Sequence, residues 1–191
     1  MYKKILVIVD MQNDFVSGCL GNEETKAVLP KIVKKIRDHG KDYDVICATK
    51  DIHYAESYID SLEGKKLPIP HCIDGTDGAA ICAELRDALD ELMPSRPVIR
   101  FEKNTFGSKH LMAYLRNVCG RDTIIELCGV CTDICVVSNA ICLRAELPNN
   151  IICVDASCCA GTSPSAHESA LSTMASCQID IIEENESTWL N

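Results

Sequence analysis

Six short runs rich in β-branched residues recur along this chain, and longer amphipathic stretches separate them. This alternation constrains the fold more than any other feature. The runs are ILVIV (5–9), DVICAT (44–49), VIRF (98–101), TIIEL (123–127), NIICV (150–154) and QIDII (178–182). Between them, Val28, Leu29, Ile32, Val33 and Ile36 recur at helical spacing, as do Ile81, Leu85, Leu89 and Leu92. Further helices are expected at about 108–118, 132–147 and 164–176, the last with Pro164 in its first turn. Strands alternating with helices predict an α/β fold with a parallel sheet covered on both faces. The nearly continuous apolar runs agree, because parallel strands are buried on both sides. No internal repeat, low-complexity tract or linker divides the sequence, so one domain over 1–191 is expected. The one long irregular stretch is 50–78, a length of loop that usually serves function.

The 19 basic and 28 acidic residues leave a net charge of -9, spread without a basic stripe. That balance argues against nucleic acid, whose binding rests on phosphate neutralisation. The apolar run after the N-terminus stops at Asp10, and no stretch is long enough for a membrane span. A cytoplasmic protein with no membrane partner is therefore expected. Most of the thirteen cysteines sit inside apolar runs, as in VICAT, IIELCG and IICVD. They read as reduced packing residues, which implies a reducing compartment.

Ligands of open α/β sheets bind outside the carboxyl ends of the strands. Asp10 follows the first predicted strand, Asp51 and His53 the second, Lys103 the third, and the segment from Gly129 to Cys135 the fourth. An acid, a cation, a thiol and candidate metal ligands would thus share one rim. In GVCTDICVV, Thr132 is a suitable N-cap and places Cys135 in the first turn of a helix. There the positive end of the helix dipole favours a thiolate, and backbone N–H groups can hold an oxyanion. Cys131 is the rival thiol, but it precedes that cap. Asp51, His53 and His71 offer donors suited to zinc, iron or manganese. Each feature also has a bland reading: a buried thiol, a turn-capping acid, a solvated lysine, uninvolved histidines. Cys128-x-x-Cys131 with Cys158-Cys159 is a weak match to a thiolate zinc site.

Taken in order, VDMQNDFV (9–16), KDIH (50–53), PHCIDGTDGA (70–79), Lys103, GVCTDICV (129–136) and DASCCAG (155–161) with His167 cover nearly the whole chain. They resemble the isochorismatase-like cysteine hydrolase superfamily and, within it, the nicotinamidases. The resemblance implies a six-stranded parallel sheet in a three-layer sandwich. It implies a triad of Asp10 as acid/base, Lys103 as supporting cation and Cys135 as nucleophile. A cis peptide before Cys131 and an oxyanion hole from the N–H groups of Cys131 and Cys135 follow from the same source. So does one divalent metal, zinc before iron or manganese, on Asp51, His53 and His71, with Glu63 as a fourth ligand. In the family this metal holds the pyridine nitrogen of the substrate. The aromatic residue common before the second metal histidine is absent from Leu67-Pro68-Ile69-Pro70, leaving Phe15 and Phe106 to line the substrate pocket.

The resulting expectation is a homo-oligomeric amidohydrolase that converts nicotinamide to nicotinate and ammonia through a cysteine thioester, with a small-molecule amide as its partner. A relative acting on a carbamoyl or ureido compound would keep the triad without a pyridine anchor. An isochorismatase would need neither Cys135 nor the metal ligands. A metal-thiolate or redox protein is the reading outside enzymes.

Overall fold

Each of the six apolar runs supplies a strand of one parallel sheet, although only 180–182 of the last run is strand, and the burial of β1 shows why. Ile5, Leu6, Val7, Ile8 and Val9 are all buried, so both faces of this strand are covered. The computed structural model describes residues 2–183. Its strands are β1 (Tyr2–Val9), β2 (Val45–Asp51), β3 (Val98–Lys103), β4 (Cys119–Val130), β5 (Ile151–Ala160) and β6 (Asp180–Ile182), in the spatial order β3-β2-β1-β4-β5-β6. The helices are α1 (Asn13–Val16), α2 (Glu23–His39), α3 (Ala55–Tyr58), α4 (Leu62–Lys66), α5 (Ala83–Leu92), α6 (Lys109–Val118), α7 (Val137–Glu146) and α8 (Pro164–Ser176). From β1 the chain winds outward through β2 to β3, then crosses to β4 and winds the other way. Right-handed crossovers place the helices of the two halves on opposite faces. Accordingly α2 packs with α5, while α6 meets α7 and α7 meets α8. The order reverses between β1 and β4, where such sheets open a ligand crevice.

Local sequence explains several boundaries. A capping box starts α2: the Asn22 side chain accepts from the Thr25 N–H, and the Thr25 hydroxyl accepts from the Asn22 N–H. Ser108 and Ser163 cap α6 and α8 in the same way, by accepting from the N–H of Leu111 and Ala166. Under α2, Lys35 reaches two buried carboxylates, Glu126 of β4 and Asp155 of β5, the second at 2.7 Å. The Tyr43 hydroxyl donates to the other oxygen of Glu126 at 2.8 Å.

The structure departs from the expectations in three places. Ile81 lies outside α5 and instead bridges to Gln12 in antiparallel fashion. The stretch 50–78 is not wholly irregular, because it carries α3 and α4, and His53 bridges to Ile73. Thr132 is not an N-cap: Cys131 occupies that position, and a π-turn over Thr132–Val136 precedes α7. The Thr132 hydroxyl is occupied by His167, 2.8 Å from its Nδ1. Among the described residues, no helix is long and apolar enough to cross a membrane.

Candidate active site

Asp10, Lys103 and Cys135 meet beyond the carboxyl ends of the central strands. Asp10 leaves β1 with φ of 49°, a left-handed conformation that aspartate tolerates better than most residues. Its Oδ1 accepts from the Thr49 hydroxyl at 2.6 Å, and its N–H donates to the same oxygen at 3.2 Å. Lys103 ends β3, two strands away from β1. Only a long side chain bridges that gap, and Lys103 Nζ lies 2.7 Å from Asp10 Oδ2. The same nitrogen is 3.6 Å from Cys135 Sγ and 3.5 Å from Asp51 Oδ1. Cys135 stands in the π-turn after β4, which begins with a cis peptide between Val130 and Cys131. All three side chains are buried.

Burial decides the charge states. It pushes the Asp10 carboxyl above the ordinary carboxylate value, with the Lys103 cation opposing it. Burial and then the Asp10 charge push the Cys135 thiol well above its ordinary value, and Lys103 only partly offsets them. Desolvation thus works against the thiolate that the helix terminus favours, with the Asp10 carboxyl placed to take the proton. Burial disfavours charge on Lys103, but Asp10, Cys135 and Asp51 reverse the effect and raise its pKa. It stays cationic.

Asp51, His53, Glu63 and His71 form a second cluster against the first. One ligand atom from each lies within 4.8 Å of all the others. His53 Nε2 is 2.9 Å from Asp51 Oδ2 and 3.7 Å from Glu63 Oε2. His71 Nε2 is 3.5 Å from Asp51 Oδ2 and 3.6 Å from Glu63 Oε1. His71 Nδ1 lies 3.0 Å from the Ile69 carbonyl, which can only accept, so Nε2 carries the free lone pair. Two imidazoles and two carboxylates at this spacing fit one divalent ion. Among the described residues this is the group that could hold a metal, and the pairs Cys128/Cys131 and Cys158/Cys159 form no such group. All thirteen cysteines are free thiols.

Cys135 and the four residues of the second cluster line one cavity of about 790 Å³, with Phe15, Tyr58, Phe106, Cys131 and Ile134 also on its wall. The Phe15 ring is tilted against His71 with centroids 5.4 Å apart, whereas Phe106 is half exposed at the mouth. Three supporting residues carry no sequence expectation. Gln12 holds the Asp51 backbone at both ends, accepting from its N–H at 2.7 Å and donating to its carbonyl at 2.8 Å. Tyr58 donates to the Leu67 carbonyl at 2.8 Å and stands edge-on to both histidines. Asn139 ties the Cys135 carbonyl to the Phe106 carbonyl through its amide nitrogen. Gln12 falls inside VDMQNDFV, the one signal that could have found it; Tyr58 and Asn139 depend on tertiary contacts alone.

Known proteins share this fold over nearly their whole length. The structure of nicotinamidase/pyrazinamidase from Bacillus subtilis superposes with a TM-score of 0.82 at 27% identity, covering 95% of this chain and 100% of that one. Pyrazinamidase of Pyrococcus horikoshii, solved in complex with zinc, gives 0.74 at 25% identity over 95% and 99% of the two chains. The nicotinamidase/pyrazinamidase of Mycobacterium tuberculosis is 27% identical over 94% of this chain and 98% of its own. The isochorismatase domain model matches residues 4–186. With that match spanning nearly all of the sequence, the chain belongs to the isochorismatase domain family.

Proposed function

We propose that this chain is a metal-assisted amidohydrolase that converts nicotinamide to nicotinate and ammonia, with Cys135 as nucleophile. The observation that carries this reading is the double contact of Lys103 Nζ, 2.7 Å from Asp10 and 3.6 Å from Cys135. It joins a base, a cation and a thiol in one buried site beside a candidate metal centre.

Asp10 takes the Cys135 proton, and the sulfur attacks the carboxamide carbon. Moving that proton leaves one negative charge in the site throughout, and Lys103 faces it in either position. The backbone N–H groups of Cys131 and Cys135, which both line the cavity, serve as the oxyanion hole. Asp10 then returns its proton to the departing nitrogen, so ammonia leaves and a Cys135 thioester remains. A water deprotonated by Asp10 attacks the thioester, releasing the acid and restoring the thiol. Asp51, His53, Glu63 and His71 would hold a divalent ion, zinc first, which when bound offers a Lewis-acid contact to a lone pair on the substrate ring. Phe15 packs on His71, where it can cover a ring placed against the cluster.

The reading is tested by acid quench during turnover followed by peptide mass analysis. Pyridine-3-carbonyl mass on the Cys135 peptide is expected. Ammonia release that persists in Cys135→Ala would overturn the mechanism.

A further inference from the structure

The cavity is much larger than its chemistry needs. The proposed chemistry on a ring carboxamide calls on Cys131, Cys135, Phe15 and the metal-binding cluster alone of that lining. About 790 Å³ is instead in the range of pockets that enclose drug-sized ligands. Tyr54, Leu62 and Leu67 of the stretch 54–67 line the cavity, as do Leu20, Phe106 and Ile134. Leu62 and Tyr54 are 73% and 56% exposed, so this chamber reaches the surface with large apolar side chains at its mouth. The segment Leu67-Pro68-Ile69-Pro70 brings no aromatic ring to partition it from the metal-binding cluster.

The charge of the lining narrows the occupant further. Among the described residues, Lys66 is the lysine or arginine on the cavity's lining and Asp51 and Glu63 are its acids, while Lys103 lies 3.6 Å from Cys135 Sγ. A carboxylate or phosphate on the outer part of a ligand would find little to pair with, in a chain of net charge -9. Continuity with Cys135 makes the outer chamber part of the substrate site rather than a separate surface.

We infer that this enzyme takes primary carboxamides of a nitrogen-containing aromatic ring that carries a neutral apolar substituent, with the substituent seated among Leu20, Tyr54, Leu62, Leu67, Phe106 and Ile134. The inference rests on the amidohydrolase reading above and extends it to substrate class. The carboxamide end is unchanged, and the added apolar group binds in ground and transition states alike, so it lowers KM more than it alters kcat.

The test is kcat/KM for nicotinamide and for nicotinamides bearing a butyl or phenyl group at each open ring position, in the metal-loaded protein and in Leu62→Asp. At least one substituted amide should exceed nicotinamide by about tenfold, chiefly through KM, as a filled apolar pocket allows. In Leu62→Asp that ratio should fall several-fold. Binding of the best substituted amide to Cys135→Ala, followed by calorimetry, should be correspondingly tighter than binding of nicotinamide. Hydrolysis of nicotinamide with every substituted amide slower than it would overturn the inference and leave the amidohydrolase reading standing. A ratio unmoved by Leu62→Asp would also overturn it, because the substituent would then lie elsewhere. No ammonia from any of these amides would end both readings.

Discussion

Lys103 and Asp10 form a buried ion pair at 2.7 Å, although β2 lies between the strands that carry them. The lysine thereby faces the Asp10 carboxyl and the Cys135 sulfur together. Lys103→Met keeps most of the volume and removes the charge, leaving Asp10 buried without its counter-ion. We expect kcat/KM to fall by about 10² or more, and iodoacetamide labelling of Cys135 near neutral pH to slow. Unchanged labelling and turnover would remove Lys103 from the machinery.

Asp10 must be ionised to take a proton, and burial raises its pKa above the ordinary value of 3.8 despite Lys103 and Thr49. A base with a raised pKa is protonated at higher pH than a normal carboxylate. The acid limb of kcat/KM, measured at saturating metal, should therefore lie above 3.8. Asp10→Asn should lose about 10² or more in rate at the optimum with the fold retained. An acid limb at or below the ordinary value would contradict this role.

The four-residue cluster should bind one divalent ion per chain. Elemental analysis of purified His53→Ala and His71→Ala should show the ion lost while circular dichroism stays native. Glu63→Gln should weaken binding less, since Glu63 is the least buried of the four. Full metal retention in both histidine variants would place the ion elsewhere.

The Lys35 network bears on stability rather than chemistry. Lys35→Met would strand Glu126 and Asp155 in the interior without their cation. Breaking a buried pair in this way costs about 3–5 kcal/mol. The Asp155 carboxyl is shifted by burial, which raises its pKa, and by Lys35 with hydrogen bonds from Ser157 and Cys158, which together outweigh burial and lower it. Its contribution is thus present above the ordinary carboxylate value and is lost as pH falls through the lower folded one. Urea unfolding at neutral pH should show the full loss in Lys35→Met. A midpoint unchanged from the parent would contradict the assignment.

The strand positions and the rim they form were legible because apolar periodicity and the strand-end placement of Asp10, Asp51, Lys103 and Cys135 are local properties. The contact of Lys103 with Asp10 was reached only through family resemblance, since residue spacing does not reveal which side chain crosses a neighbouring strand. The turn at Thr132–Val136 was misjudged because its threonine hydroxyl is engaged by His167, far away in sequence. The direction of the Cys135 pKa shift was not legible for a related reason. A helix terminus is visible in sequence, whereas the burial and the Asp10 charge that overrule it are not. Gln12 and Asn139 act through contacts with backbone far away in sequence, and Tyr58 through a carbonyl nine residues on, which helix and strand periodicity does not encode.

The central claim is that a carboxamide is cleaved at Cys135 while the ring is recognised by the metal-binding cluster. Nicotinamide and benzamide match in shape and differ in the ring nitrogen, so packing on Phe15 treats them alike. A site built around a polar contact penalises the analogue that leaves its partner unsatisfied. The most direct measurement is kcat/KM for both amides in metal-loaded and metal-stripped protein, with metal content determined in parallel. Nicotinamide is predicted to be the better substrate in the loaded protein, and stripping should narrow the gap by harming nicotinamide more. Equal values for the two amides in the loaded protein would contradict the account.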